Sequence, residues 1–178
     1  MRSKIFGGFL SIALLFLPLA GLAEGNADCN FVAPTGLLQP KAYLAYTYRR
    51  AADNEAFESA DITKDIHLEI RHDQCVDFLV QKFTFTLSAS LNTPPLDFAI
   101  TEISNLKLSN PERKPNDLLV FLKGLSDKGA IKGNFSACKD GSSAPPGECS
   151  WDSLGGFTFE VKREKKKTTI AVTEYISG

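Results

Sequence analysis

The feature that most constrains this chain is alternation with a period of two. In DIHLEIRH, Ile66, Leu68 and Ile70 fall on one side, and His67, Glu69 and Arg71 on the other. That is a strand with one buried and one wet face. KFTFTLSAS repeats it with Phe83, Phe85 and Leu87 against Lys82, Thr84 and Thr86. GAIKGNFSA places Ile131, Gly133 and Phe135 together, GFTFEVK places Phe157, Phe159 and Val161 together, and TTIAVTEY aligns Ile170 with Val172. Turn-forming residues separate these runs: NTPP at 92–95, NPERKPN at 110–116 and SDKG at 126–129. KREKKK, residues 162–167, is a charged hairpin tip between two alternating strands. Short strands with frequent turns predict a mainly β, single-domain antiparallel sandwich or barrel. No βα repeat points to a doubly wound fold.

Three stretches leave alternatives open. NDLLVFLKGL reads as a buried strand pairing with 130–137 across SDKG, but Leu118, Leu119, Phe121, Leu122 and Leu125 also fit one short helix near 116–124. In CVDFLVQKFTF the apolar positions change parity between Val80 and Phe83. A bulge near Gln81 or a strand buried on both faces would accommodate this. RAADNEAFESAD, residues 50–61, is polar and reads as a long hairpin loop or a single helical turn.

The chain opens with the layout of a secretory leader. Arg2 and Lys4 precede the apolar run Ile5–Leu17, Pro18 breaks it, and Gly21-Leu22-Ala23 supplies small residues for cleavage. The run is shorter than the ~20 residues a membrane span needs. Residues 1–23 are therefore read as a signal peptide and 24–178 as one domain, exported to the periplasm in a Gram-negative cell and otherwise secreted. Arg2 and Lys4 lie in the leader, so 18 basic and 21 acidic side chains remain, a net charge of −3. That balance argues against nucleic acid as a partner.

Export also governs the cysteines. Cys29, Cys75, Cys138 and Cys149 all lie in the mature part, and an even count in an oxidising compartment favours disulfides. Of the three possible connectivities, Cys138–Cys149 with Cys29–Cys75 is favoured, because CKDGSSAPPGEC is rich in turn formers. No Cys-x-x-Cys occurs, and His67 and His72 are remote in sequence from that loop, so neither a redox motif nor a metal site is read.

The sequence holds no Gly-x-Ser-x-Gly, no His-Glu-x-x-His and no phosphate-binding glycine loop. Asp65, His67, Glu69, His72 and Asp73 form the densest titratable cluster. His67 and Glu69 share a strand face and His72 takes the other, and alternation alone explains their presence. No cofactor is implied. Lys162, Arg163, Lys165, Lys166 and Lys167 are the candidate anion-binding residues, able to meet an anionic membrane or glycan. The plainer reading is a solvated tip that blocks edge pairing. In YLAYTYRR, Tyr46 and Tyr48 share a face and Tyr43 takes the other, as a groove lining or a roof on the core. Asn134-Phe135-Ser136 is a glycosylation acceptor in a eukaryotic host. Size, leader and strand pattern resemble fimbrial subunits and periplasmic lipid carriers. No motif narrows this, and Tyr175 is followed by Ile-Ser-Gly. The resulting expectation is an exported, non-enzymatic binding or structural module of the cell envelope or exterior. The alternatives are a carrier of an apolar ligand in a β groove or barrel and, further off, a small secreted hydrolase.

Overall fold

The computed structural model describes residues 32–76, 78–88, 90–127, 134–138 and 155–177. Residues 1–23, read above as a signal peptide, Lys128 and Gly129 of SDKG, and the residues between Cys138 and Cys149 lie outside these residues. Seven strands form one antiparallel sheet: β1 (Leu44–Arg50), β2 (Glu55–Thr63), β3 (Ile66–Gln74), β4 (Phe78–Leu87), β5 (Phe135–Cys138), β6 (Gly155–Glu164) and β7 (Lys167–Ser177). Their order is β1-β2-β3-β4-β7-β6-β5, so two meanders meet at the β4–β7 pair. Two helices, α1 (Pro95–Asn105) and α2 (Asn116–Asp127), connect the meanders. Among the described residues no helix is long and apolar enough to cross a membrane.

The alternation read from the sequence becomes rows running across the sheet. One row is Glu58, Ile70, Phe83, Val172, Phe159 and Phe135, and the next is Ala60, Leu68, Phe85, Ile170 and Val161. Phe83, Phe85, Ile70 and Ile170 are fully buried. Each such side chain stabilises the fold by about 1.5–3 kcal/mol through area removed from water. The chain is mainly β and antiparallel, as expected, and helices take the place that a second sheet has in a sandwich. α1 covers the row of Phe85, with Phe98 meeting that ring edge-on at 5.7 Å. On α2, Phe121 stacks on Phe157 at 4.3 Å.

The strand expected from NDLLVFLKGL is therefore a helix. Leu118, Leu119 and Leu122 are buried, which is a spacing a helix aligns and a strand divides between two faces. α1 begins with Pro95, whose missing N–H costs nothing at a helix start, and Asp97 sits in its first turn. NTPP is thus the entry to a helix. NPERKPN contains a single 3-10 turn, Pro111–Arg113, capped by the Asn110 side chain accepting from the Glu112 N–H at 3.0 Å. Residues 55–61, expected in a loop or turn, belong to β2.

β4 has neither a bulge nor two buried faces. It keeps continuous register with β3 and β7 from Phe78 to Leu87. The inward slots are Gln81, Phe83, Phe85 and Leu87, all buried. Apolar parity breaks because one of those slots is filled by a glutamine. Gln81 lies between His72 on β3 and Glu174 on β7, a buried polar row at the end of the sheet where Cys75 lies.

Candidate functional site

Among the described residues three ionisable side chains are buried on the sheet, Glu58, His72 and Glu174, and the first two meet. Glu58 is 0% exposed and His72 1%. Glu58 Oε2 accepts from the Leu37 N–H at 2.8 Å and lies 3.1 Å from His72 Nε2. Its Oε1 accepts from the Leu38 N–H at 2.8 Å and from the Tyr46 hydroxyl at 2.9 Å. Burial is the largest influence on this carboxyl and acts to raise its pKa. The contacts from His72, Leu37, Leu38 and Tyr46 together outweigh it and hold the pKa below the usual glutamate range. Burial also pushes the Tyr46 hydroxyl up, and its bond to Glu58 adds to that.

The carboxylate fastens a strap. Residues 34–39 cross the inner face beside 107–109, with Gln39 N–H to Lys107 O at 2.8 Å and Ser109 N–H to Leu37 O at 2.9 Å. Gly36 passes so close that a Cβ there would lie 3.0 Å from Tyr46 Oη and 3.1 Å from Glu58 Oε1. Arg113 braces the same strap through Nη1, donating to the Thr35 hydroxyl at 2.6 Å and the Gly36 carbonyl at 3.1 Å.

The tyrosines of YLAYTYRR serve the strap as well. The β1–β2 register shifts by one between Leu44 and Thr47, and Ala45 takes φ 49°. This one-residue bulge overturns the expected division of faces. Tyr43, Tyr46 and Tyr48 all reach segments that lie on the inner side. Tyr43 Oη accepts from the Lys107 N–H at 2.6 Å, and Tyr48 Oη donates to the Pro34 carbonyl at 2.5 Å. Tyr43 and Tyr46 pack against the core, and Tyr48 ties β1 to the strap.

The outer face of β3 carries His67, Glu69 and Arg71, as the alternation requires. His67 Nδ1 lies 2.8 Å from Asp61 Oδ1 on β2, and Arg71 Nε lies 2.8 Å from Glu55. These are half-exposed cross-strand pairs, a group whose typical contribution is small. They supply no nucleophile beside a base. Among the described residues no cluster of three His, Cys, Asp or Glu is placed to hold a metal ion.

The two ends of the sheet differ in character. At the Cys75 end, Gln81 and Glu174 floor a polar cavity of about 360 Å³ roofed by residues 112–117. Cys75, 5% exposed, is no free thiol. At the other end the β6–β7 hairpin turns at residues 165–166. Lys162, Arg163, Lys165, Lys166 and Lys167 are all exposed there, and the structure gathers them on one projection as the sequence predicts. Lys162 Nζ pairs with Glu164 at 3.0 Å, and this neighbour lowers the pKa of Glu164. Asn134 is exposed, and its Oδ1 accepts from the Val161 N–H at 2.7 Å.

No protein-family model matches this chain, and comparison with characterised proteins and with solved structures finds no match either.

Proposed function

We propose that this protein is an exported, non-enzymatic binding module that contacts an anionic partner through its β6–β7 tip. The observation that carries the reading is the contrast between buried and exposed charge. Glu58 and His72, the most deeply buried ionisable groups, are occupied in holding the strap. Exposed cations gather on one hairpin, where Glu164 offsets Lys162 and leaves the other four as excess. A carrier would need an open apolar interior. Here the inner face is filled by Phe83, Phe85, Phe98 and Phe159 together with Leu37 and Leu38 from the strap, which favours the surface as the place of contact.

The leader supports export, and export supports two disulfide staples, Cys29–Cys75 and Cys138–Cys149. Sheet order bears on that pairing. Cys75 follows β3 and Cys138 ends β5, four strand intervals away. At about 4.8 Å per interval that is roughly 19 Å, against a Cα separation of at most ~7 Å for a disulfide. A Cys75–Cys138 bond is therefore disfavoured.

The test is retention on an immobilised polyanion as salt is raised. Wild-type protein should be retained and elute with salt, while a variant with Lys165, Lys166 and Lys167 all changed to Gln should pass through. Equal retention of the two would overturn the tip as the contact surface. N-terminal sequencing of the exported protein should begin near Glu24.

A further inference from the structure

The geometry points to a flat anionic phospholipid surface as the partner, approached end-on and contacted by two neighbouring turns, the β6–β7 tip and the β2–β3 turn at Lys64. This rests on the tip reading above and adds both a partner and a residue. The register places the two turns at the same end of the sheet. Ile66 of β3 and Thr168 of β7 both pair with Leu87, the last residue of β4. Lys64 and Asp65 extend past that level on one side, and Glu164 to Lys167 extend past it on the other. β3 and β7 are separated by β4 alone, so their ends stand roughly 10 Å apart. That is about one Debye length at physiological salt, so the two turns present one patch to a partner.

The charge of the two turns is predominantly positive. Lys64, Arg163, Lys165, Lys166 and Lys167 are exposed. The carboxylates within these turns are Glu164, paired with Lys162, and Asp65. The cations also surround the tip. Arg163 continues the parity of Val161, which packs on the core, while Lys162 and Lys167 take the opposite parity. Positive charge on both faces of a projecting turn aims along the strands. It suits a planar array of headgroups, whereas a linear acidic glycan would be served by a row of cations along one face. Each lysine near an anionic surface strengthens binding about fivefold.

The experiment compares full-length mature protein on vesicles of phosphatidylglycerol in phosphatidylcholine, on phosphatidylcholine alone, and with soluble dextran sulfate. Three proteins are used: wild type, Lys64→Gln, and the triple Lys165→Gln, Lys166→Gln, Lys167→Gln variant. Circular dichroism and thermal melting confirm that each is folded. Wild type should bind the anionic vesicles and not the neutral ones, with affinity falling as salt rises. The triple variant should lose about a hundredfold. Lys64→Gln should lose about fivefold on vesicles. Vesicle binding unchanged by Lys64→Gln would overturn the two-turn, end-on arrangement and leave the tip reading standing. Binding to dextran sulfate without binding to anionic vesicles would overturn the lipid partner, again without touching the tip. Wild-type behaviour of the triple variant on both supports would overturn the tip and this inference together.

Discussion

Glu58→Ala is the most informative single substitution. It removes the acceptor for two backbone N–H groups, Leu37 and Leu38, each at 2.8 Å and each on a residue with no exposure. A buried donor left unsatisfied costs about 1–3 kcal/mol. His72, 1% exposed, loses its Nε2 partner, and Tyr46 loses its acceptor. Water entering the vacated space would satisfy some of these groups. A net loss of about 3–5 kcal/mol follows from two or three such buried groups left without their partner. For a domain of this size that lowers Tm by roughly 10–15 °C. Glu58→Gln is the control in shape. Its oxygen can keep Leu38 and Tyr46, but its amide N–H meets the Leu37 N–H donor to donor, for a loss of about 2 kcal/mol. Urea unfolding measures both variants, and native-state hydrogen exchange should show faster exchange at the Leu37 and Leu38 amides. An Ala variant that loses less than about 1 kcal/mol, with those amides still protected, would refute the strap argument.

Because the folded pKa of Glu58 is lowered, its contribution is fully present above the usual glutamate value and is lost as pH falls through the depressed one. Wild type should therefore lose its advantage over Glu58→Gln on acidification below about pH 4, and parallel acid curves for the two would contradict this. Ala45, at φ 49°, sits in the left-handed region, so Ala45→Gly should raise stability by a few tenths to about 1 kcal/mol in a thermal melt. Gly36→Ala should cost about 1–2 kcal/mol, because its Cβ would crowd Tyr46 Oη and Glu58 Oε1. Peptide mapping without reduction should give Cys29–Cys75 and Cys138–Cys149 linkages, and a Cys75–Cys138 peptide would contradict the strand spacing.

The strands were legible where successive inward slots are apolar, as at Ile66, Leu68 and Ile70 in β3, Phe157, Phe159 and Val161 in β6, and Ile170 and Val172 in β7. They were hidden where a polar residue interrupted that run. β2 reads as a loop because its inward residues are Ala56, Glu58 and Ala60, two small and one charged. In the sequence β4 reads as changing phase because Gln81 occupies a core position. Neither choice makes sense until the strap and the polar end of the sheet are in place. α2 was visible as an alternative through its leucine spacing. α1 was not read, although Pro95, Asp97 and the set Leu96, Ala99 and Ile103 carry helix signals. The bulge at Ala45 has no local signature, since alanine is an unusual residue for a left-handed position. The basic tip was readable because a charge run between alternating strands is a local feature. The Glu58 anchor was not, because its ligands lie 21 and 20 residues away on a segment without regular structure.

The meeting of the two meanders at β4 and β7 has a consequence for how the molecule comes into being. Phe78 pairs with Ser177 and Leu87 with Thr168, partners 99 and 81 residues apart. β1 to β4 can zip from neighbouring hairpins, but ten residues of β4, with Phe83 and Phe85 among them, then wait as an open edge for the final strand. Such an edge is a template for self-association, and non-local pairing closes slowly. A chain emerging N-terminus first would expose that edge until β7 has been delivered. The C-terminal hairpin is thus the clasp of the sheet, and a nascent chain halted after Asp127 would be a sticky, four-stranded fragment in need of a holding factor.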